Sequence, residues 1–388
     1  MNLLFEIITG QIKTGAGEYM RRLFYTLLEK IKKEQLPINM IALYDSSRGI
    51  AYEDLRPKQL SKLGVKAVDV QDGGVLKIIS DEKIDKFFIS CGQYACRIDD
   101  FSKIPCETIC VVHDLCEEEE ITNGLDIYLR YSYFSSHLVK LYKYLFKRKY
   151  GMINRWKFLA KDVYELYSNN PKCQMVTVSE YSKASLACLY PFKYDDIMVL
   201  SSPIRVGLKG DNIKNKKLQK LVKNNVKFYL LVSADRPLKN AAKTVNAFHK
   251  YAQSHPDEYL VTVGYPLAEQ FEQHIVLPFL SDSDLAYAYS NCYALIYASI
   301  FEGYGYPPME VFSYGKPVIA SNATSIPEVL GDAPIYFSPF YETGIFKGLL
   351  DFERTDYKLL CERSLKRYEY LKNKQNEDLK TLINLIIK

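Results

Sequence analysis

Ile300-Phe301-Glu302-Gly303-Tyr304-Gly305-Tyr306-Pro307-Pro308-Met309-Glu310 sets two carboxylates eight positions apart around a glycine-containing loop closed by two prolines. Gly303 and Gly305 lack a Cβ, so the backbone there can adopt unusual dihedrals and come close to a ligand. Pro307 and Pro308 suit the first turn of a helix, where a missing N–H costs nothing. Met309 to Tyr314 continues that helix, and Gly315 stops it. Glu302 therefore precedes the helix and Glu310 lies one or two turns inside it, with free N–H groups and the positive end of the helix dipole between them. Such a place invites an anion, usually phosphate. The same residues also allow a plain surface turn with two solvated glutamates.

Ala294 to Tyr297 reads as the buried strand that delivers this loop, and similar runs recur on both sides of it. Lys227 to Val232, Tyr259 to Val263, Ile275 to Pro278, Pro317 to Ala320 and Ile335 to Phe337 are strand candidates, with helical patterns between them and after about Tyr341. Strands alternating with helices predict a parallel α/β sheet. The first of these strands ends in Ser233-Ala234-Asp235-Arg236-Pro237-Leu238-Lys239-Asn240. Two cations three apart, at the carboxyl end of a strand and beside a helix start, suit a diphosphate; solvated surface charge is the plainer reading.

The first half repeats the pattern. Met1 to Ile8, an apolar run interrupted by Glu6 and without a basic leader, reads as a strand and not as a signal peptide. It runs into Thr9-Gly10-Gln11-Ile12-Lys13-Thr14-Gly15-Ala16-Gly17-Glu18-Tyr19, read as a glycine loop, and then a helix with Met20, Leu23, Phe24, Leu27, Leu28 and Ile31 at helical spacing. Ile38 to Tyr44, Lys86 to Ser90, Thr108 to Val112, Gln174 to Val178 and Ile197 to Leu200 are further strands. His113-Asp114 follows one of them, where ligands gather in open sheets, although a structural histidine fits equally. Ser179 reads as the N-cap of a helix from Ser182 to Tyr190. The polar, lysine-rich stretch from Lys209 to Asn225 reads as a linker.

At 388 residues the chain accommodates two ordinary domains, and its +5 net charge does not point to nucleic acid. Nine scattered cysteines without paired metal-ligand spacing read as reduced thiols in a cytosolic protein, and no run is long and apolar enough to span a membrane. From Leu138 to Lys161, eight Lys or Arg residues occur with no Asp or Glu, interleaved with aromatics. That composition fits peripheral association with an anionic membrane surface, and equally a solvated helix face. Asp282-Ser283-Asp284 looks like a metal-binding acid pair, but it precedes a helix and reads as an N-cap; no metal or other cofactor is expected.

Taken in order, these motifs resemble the retaining nucleotide-sugar transferases of glycosyltransferase family 4. The resemblance is densest over 280–339, where Ser281-Asp282-Ser283-Asp284-Leu285, Glu302 to Glu310, Gly315 to Asn322, Ile326-Pro327-Glu328-Val329 and Gly331-Asp332-Ala333 match the family pattern. Lys239-Asn240, Val112 to Leu115, Val178 to Ser182 and Gly15 to Tyr19 extend it. It implies the GT-B fold: two Rossmann-like, doubly wound parallel-sheet domains facing a central cleft. The implied layout is an acceptor-side domain over 1–205, a linker over 206–226, a donor domain over 227–370, and a last helix over 371–388 returning to the first domain. The implied site comprises Lys239 and Arg236 at the diphosphate, Glu302 and the Gly303, Tyr304, Gly305 and Tyr306 amides at the sugar and phosphate, and Glu310 at the ribose. Gly15 and Gly17 would approach the diphosphate, and His113 and Asp114 would stand on the acceptor side. Family members often carry an arginine five positions before the lysine, where this chain has Ala234; Arg236 is the nearest substitute.

The resemblance implies transfer of a hexose from a nucleotide-diphosphate sugar to a glycan or lipid-linked acceptor, in cell-surface polysaccharide synthesis. A sugar-nucleotide epimerase of the same fold and a non-catalytic sugar-binding scaffold are the alternatives. A nicotinamide dehydrogenase is disfavoured because Met20 stands where its third glycine would be.

Overall fold

The computed structural model describes residues 1–92, 101–116, 119, 167–203 and 212–388, which fall into two compact units. The first holds the described residues up to 203 together with 374–388; the second holds 212–373. The basic, aromatic stretch 138–161 lies outside the described residues, as do Cys96 and the 206–211 part of the expected linker.

The first unit carries seven parallel strands: β1 (Asn2–Glu6), β2 (Asn39–Tyr44), β3 (Lys66–Asp69), β4 (Lys86–Ile89), β5 (Glu107–Val112), β6 (Cys173–Thr177) and β7 (Met198–Val199). Their order is β3-β2-β1-β4-β5-β6-β7. Central β1 pairs Leu3 with Met40 on one side and with Lys86 on the other. Leu3, Leu4 and Phe5 are fully buried, as expected of a strand covered on both faces. Helix α1 (Gly15–Lys33) packs the predicted stripe of Met20, Leu23, Phe24, Leu27, Leu28 and Ile31 inward. Each such side chain contributes roughly 1.5–3 kcal/mol by leaving water. Shorter helices α2 (Pro57–Lys62) and α3 (Val75–Asp81) follow, and α4 (Glu180–Leu189) starts two residues before the expected Ser182, behind the Ser179 cap. Strand β3 was not expected from the sequence: it is a short edge strand whose residues are exposed or half-buried, so it lacks an apolar run.

The second unit opens with α5 (Lys216–Lys223), inside the stretch read as linker. The lysines there are the wet face of an amphipathic helix whose Leu218 is fully buried. Its sheet holds β8 (Lys227–Leu231), β9 (Glu258–Val263), β10 (His274–Leu277), β11 (Ala294–Tyr297), β12 (Val318–Ser321) and β13 (Ile335–Phe337), in the order β10-β9-β8-β11-β12-β13. The helices are α6 (Ala241–Ala252), α7 (Asp282–Asn291), α8 (Tyr306–Phe312), α9 (Ile326–Leu330), α10 (Glu342–Glu353) and α11 (Tyr357–Ile387). Helix α11 is continuous, with its residues up to 373 grouped with the second unit and those from 374 onward with the first.

Both sheets follow the doubly wound order, in which the strand sequence reverses beside the first strand. The reversal falls between β1 and β4 in the first sheet and between β8 and β11 in the second. In such sheets the crevice for ligands opens at the carboxyl ends of those two strands. Among the described residues no helix is long and apolar enough to cross a membrane, and the cysteines form no disulfide.

Candidate active site

Lys239 follows β8 and Glu302 follows β11, so the two residues stand at the switch point of the second sheet. A short 3-10 turn, Pro237–Lys239, carries the lysine. The Ile300 N–H donates to the Leu238 carbonyl at 2.9 Å and ties the two loops together. Lys239 Nζ donates to Glu302 Oε1 in an ion pair whose side chains are only 11% and 16% exposed. Burial works to raise the Glu302 carboxyl, but the Lys239 charge and hydrogen bond outweigh it and hold it below its ordinary value. Glu302 is therefore a carboxylate, and Lys239 faces it as a cation.

The backbone of Glu302 is held from the β12 side. Its N–H donates to Thr324 Oγ1 at 3.1 Å, and its carbonyl accepts from Thr324 Oγ1 at 3.2 Å and from Ser325 Oγ at 2.7 Å. Thr324 adopts φ +50°, a region a β-branched residue rarely enters. Ser233 (φ +55°) and Asn240 (φ +57°), on either side of the Lys239 turn, share that region. Gly305 takes φ +90°, and a Cβ on it would lie 2.6 Å from Tyr297 Oη, so only glycine fits that turn. Gly305 caps α8, whose first turn holds Pro307 and Pro308, with Glu310 half-buried within the helix. Tyr304 is buried and sets its ring 6.3 Å from that of half-buried Tyr306. Arg236 is exposed at the start of the Lys239 turn, and Ala234 is buried beneath it.

In the first unit the switch point is closed by Glu6, an acid the sequence reading used only to argue against a leader. Its carboxylate is fully buried and accepts from Thr9 N (2.6 Å), Thr9 Oγ1 (3.0 Å), Ser90 N (3.2 Å) and Ser90 Oγ (2.6 Å), joining the ends of β1 and β4. Burial pushes it above its ordinary value despite these bonds. The signal was present: an acid inside an apolar strand needs a buried partner set. His113 lies next to this knot. Its Nε2 is 3.0 Å from the Ser90 carbonyl, its ring stands edge-on to Tyr19 at 4.6 Å, and Ser182 Oγ donates to its carbonyl at 3.0 Å. Burial lowers its imidazole to about 4. A neutral ring facing a carbonyl carries its proton on Nε2, which leaves Nδ1 as the lone-pair nitrogen. Asp114 uses Oδ1 to accept from Cys116 N at 3.2 Å.

Three local readings change. Gly15 and Gly17 lie inside the first turn of α1 and not in a loop before it, because Thr14 is the cap and accepts the Gly17 N–H at 3.1 Å. A Cβ on Gly17 would lie 2.5 Å from the Ile12 carbonyl oxygen, so this glycine is required by packing of the chain on itself. The cap of α7 is Ser281 and not the acids after it. Asp284 closes a capping box with Ser281 and also accepts the amides of Lys214 and Asn215 at 2.8 and 3.0 Å, drawing the former linker into the second unit.

Residues 212–342, most of the second unit, match the family model described as Glycosyl transferases group 1. The chain is 27% identical over 210 residues to O-antigen chain mannosyltransferase B of Escherichia coli, covering 49% of this chain and 54% of that protein. It is 31% identical over 182 residues to O-antigen chain mannosyltransferase RfbU of Salmonella typhimurium strain LT2, covering 43% and 48%. The chain thus spans about half the length of the relatives it matches. The crystal structure of Anabaena HepE in complex with UDP-glucose is similar over 100% of this chain and 98% of that one, with a TM-score of 0.62 at 14% identity. The fold is GT-B.

Proposed function

We propose that this protein is a retaining glycosyltransferase that moves a hexose from a nucleotide-diphosphate sugar to a glycan or lipid-linked acceptor in cell-surface polysaccharide synthesis. The observation that carries the reading is the near-buried Lys239–Glu302 pair at the switch point of a sheet lying within the group 1 match. The mannosyltransferase relatives make mannose the first sugar to try.

In this reading Lys239, with Arg236 beside it, meets the diphosphate, and Glu302 accepts hydrogen bonds from the hydroxyls of the transferred sugar. The amides of Gly303 to Tyr306 line the sugar and phosphate, and Glu310 accepts from the ribose. In the first unit, the neutral His113 has Nδ1 to offer as an acceptor to a sugar hydroxyl. The bond from the anomeric carbon to the phosphate oxygen breaks and a bond to the acceptor oxygen forms on the same face. The acceptor proton passes to the departing phosphate. The charge that develops on that phosphate is met by a fixed cation and amides, which is the largest kind of term such a site supplies. Because protein groups supply that charge, we propose that the reaction needs no metal.

Purified protein is to be incubated with GDP-mannose, UDP-glucose and dTDP-glucose, with and without EDTA, and nucleoside diphosphate release followed. Slow release that Lys239→Ala and Glu302→Ala each reduce at least a hundredfold supports the reading. Unchanged turnover in either variant sinks it, and an epimerised sugar nucleotide with no diphosphate released replaces transfer by epimerisation.

A further inference from the structure

Tyr297 ends β11, five residues before Glu302, and from the sequence it is simply the last apolar position of a buried strand. Its side chain is 2% exposed, yet its hydroxyl lies among the charged groups of the switch point. Lys239 Nζ donates to Tyr297 Oη at 3.5 Å and lies 4.8 Å from the centre of its ring. The same oxygen lies 2.6 Å from where a Cβ on Gly305 would be, against the turn that opens α8. The Glu302 carboxylate, which accepts from the same Lys239 Nζ, is its charged neighbour. A phenol has one proton and spare lone pairs. With Lys239 donating to the oxygen, the O–H itself remains a donor beside the ion pair.

We propose that Tyr297 is a positioning residue that acts through Lys239 and Glu302, its hydroxyl fixing both charged groups and the Gly305 turn in one arrangement. The proposal rests on the transferase reading only for its kinetic consequence. Burial, and then the Glu302 charge, keep the phenol well above its ordinary value, so it stays protonated and able to donate. An ion pair alone leaves two flexible side chains free to swing about their contact, whereas a third, rigid group anchored in a strand removes that freedom.

The test uses the full chain carrying Tyr297→Phe, Glu302→Gln and both. Two arms are read: the rate at which trinitrobenzenesulfonate modifies Lys239, followed by peptide mass spectrometry, and kcat and KM for GDP-mannose or whichever donor the wild type consumes. Tyr297→Phe is expected to raise Lys239 modification at least threefold and to lower kcat about tenfold, with KM within twofold and Tm close to wild type. In the Glu302→Gln background the added phenylalanine is expected to lower kcat less than twofold, because its effect passes through Glu302. Unchanged modification, a full tenfold loss in the Glu302→Gln background, or a Tyr297→Phe chain that does not fold each overturns positioning, the last in favour of a packing role. A wild type that consumes no sugar nucleotide removes the transferase reading, and the modification arm still decides whether Tyr297 holds Lys239.

Discussion

Replacing Lys239 by alanine strands the Glu302 carboxylate at a site where its side chain is only 16% exposed. Breaking a fully buried pair from one side costs about 3–5 kcal/mol, because the remaining charge loses its partner without regaining water. The residual exposure here places the cost at the low end, about 3 kcal/mol. For a unit of this size that corresponds to a fall in Tm of roughly 6–12 °C. The penalty has a pH signature. Without Lys239 the largest influence left on Glu302 is burial, which raises its pKa, so the folded state gains from protonation and the deficit shrinks as pH falls from 8 to 5. Neutralising the acid as well, in Lys239→Ala/Glu302→Gln, should recover about 2 kcal/mol of the loss. Calorimetric or urea unfolding of the wild type, both single variants and the double variant at pH 8 and pH 5 measures all of this. A Lys239→Ala deficit below about 0.5 kcal/mol, or strict additivity in the double variant, refutes the claim that the pair is desolvated and coupled.

Acid should weaken the second unit through His274, which is 1% exposed and lowered by burial to about 4. Its depressed folded value means that the unfolded chain takes up the proton first, so stability is complete above about 6.5 and falls by about 3 kcal/mol on the way to pH 4. Urea titrations of wild type and His274→Gln across that range should differ in slope, and parallel curves would dismiss the assignment. Gly17→Ala places a methyl against the Ile12 carbonyl, so it should cost the first unit about 1–3 kcal/mol with no ligand present. A variant with unchanged Tm would return Gly17 to a purely ligand-facing role.

The Lys239–Glu302 pair was legible because its residues break a pattern. Lys239 stands at a strand end, and Glu302 and Glu310 flank glycines and prolines; such residues have no reason to be there in a plain α/β core. The groups that orient them were not legible, because they obey the pattern. Tyr297 ends a strand as any buried aromatic might, and nothing in Ala323-Thr324-Ser325 announces a left-handed threonine. Helix α5 was hidden by its lysines, whose charge masked the spacing of Leu218, Leu221 and Val222. Strand β3 was hidden because an edge strand need not be apolar on both faces. Gly17 was visible as a glycine, but whether a glycine serves a ligand or a close chain contact is decided by atoms distant in sequence, here the Ile12 carbonyl.

Of the four left-handed non-glycine residues described in the second unit, all but Asn225 lie at the loops that carry the proposed site. Ser233 and Asn240 bracket Lys239, and Thr324 clasps Glu302, all three with φ near +50° to +57°. A left-handed non-glycine residue costs about 1–2 kcal/mol, least for asparagine, so these positions together hold a few kcal/mol against folding. Side-chain bonds fix two of them: Asn240 Nδ2 donates to the Pro339 carbonyl at 2.8 Å, and Thr324 exchanges two bonds with the Glu302 backbone. A loop serving only as a connection would relax such strain by substitution with glycine or by a different turn. Here each strained residue sets the direction of a charged side chain or of the backbone beside it. Lys239 leaves its turn toward Glu302 because Asn240 reverses the chain directly after it, and Glu302 cannot shift along its loop while Thr324 holds both its N–H and its carbonyl. The strain is thus spent on keeping a cation and a carboxylate in contact at the switch point before any ligand arrives, as electrostatic preorganisation requires.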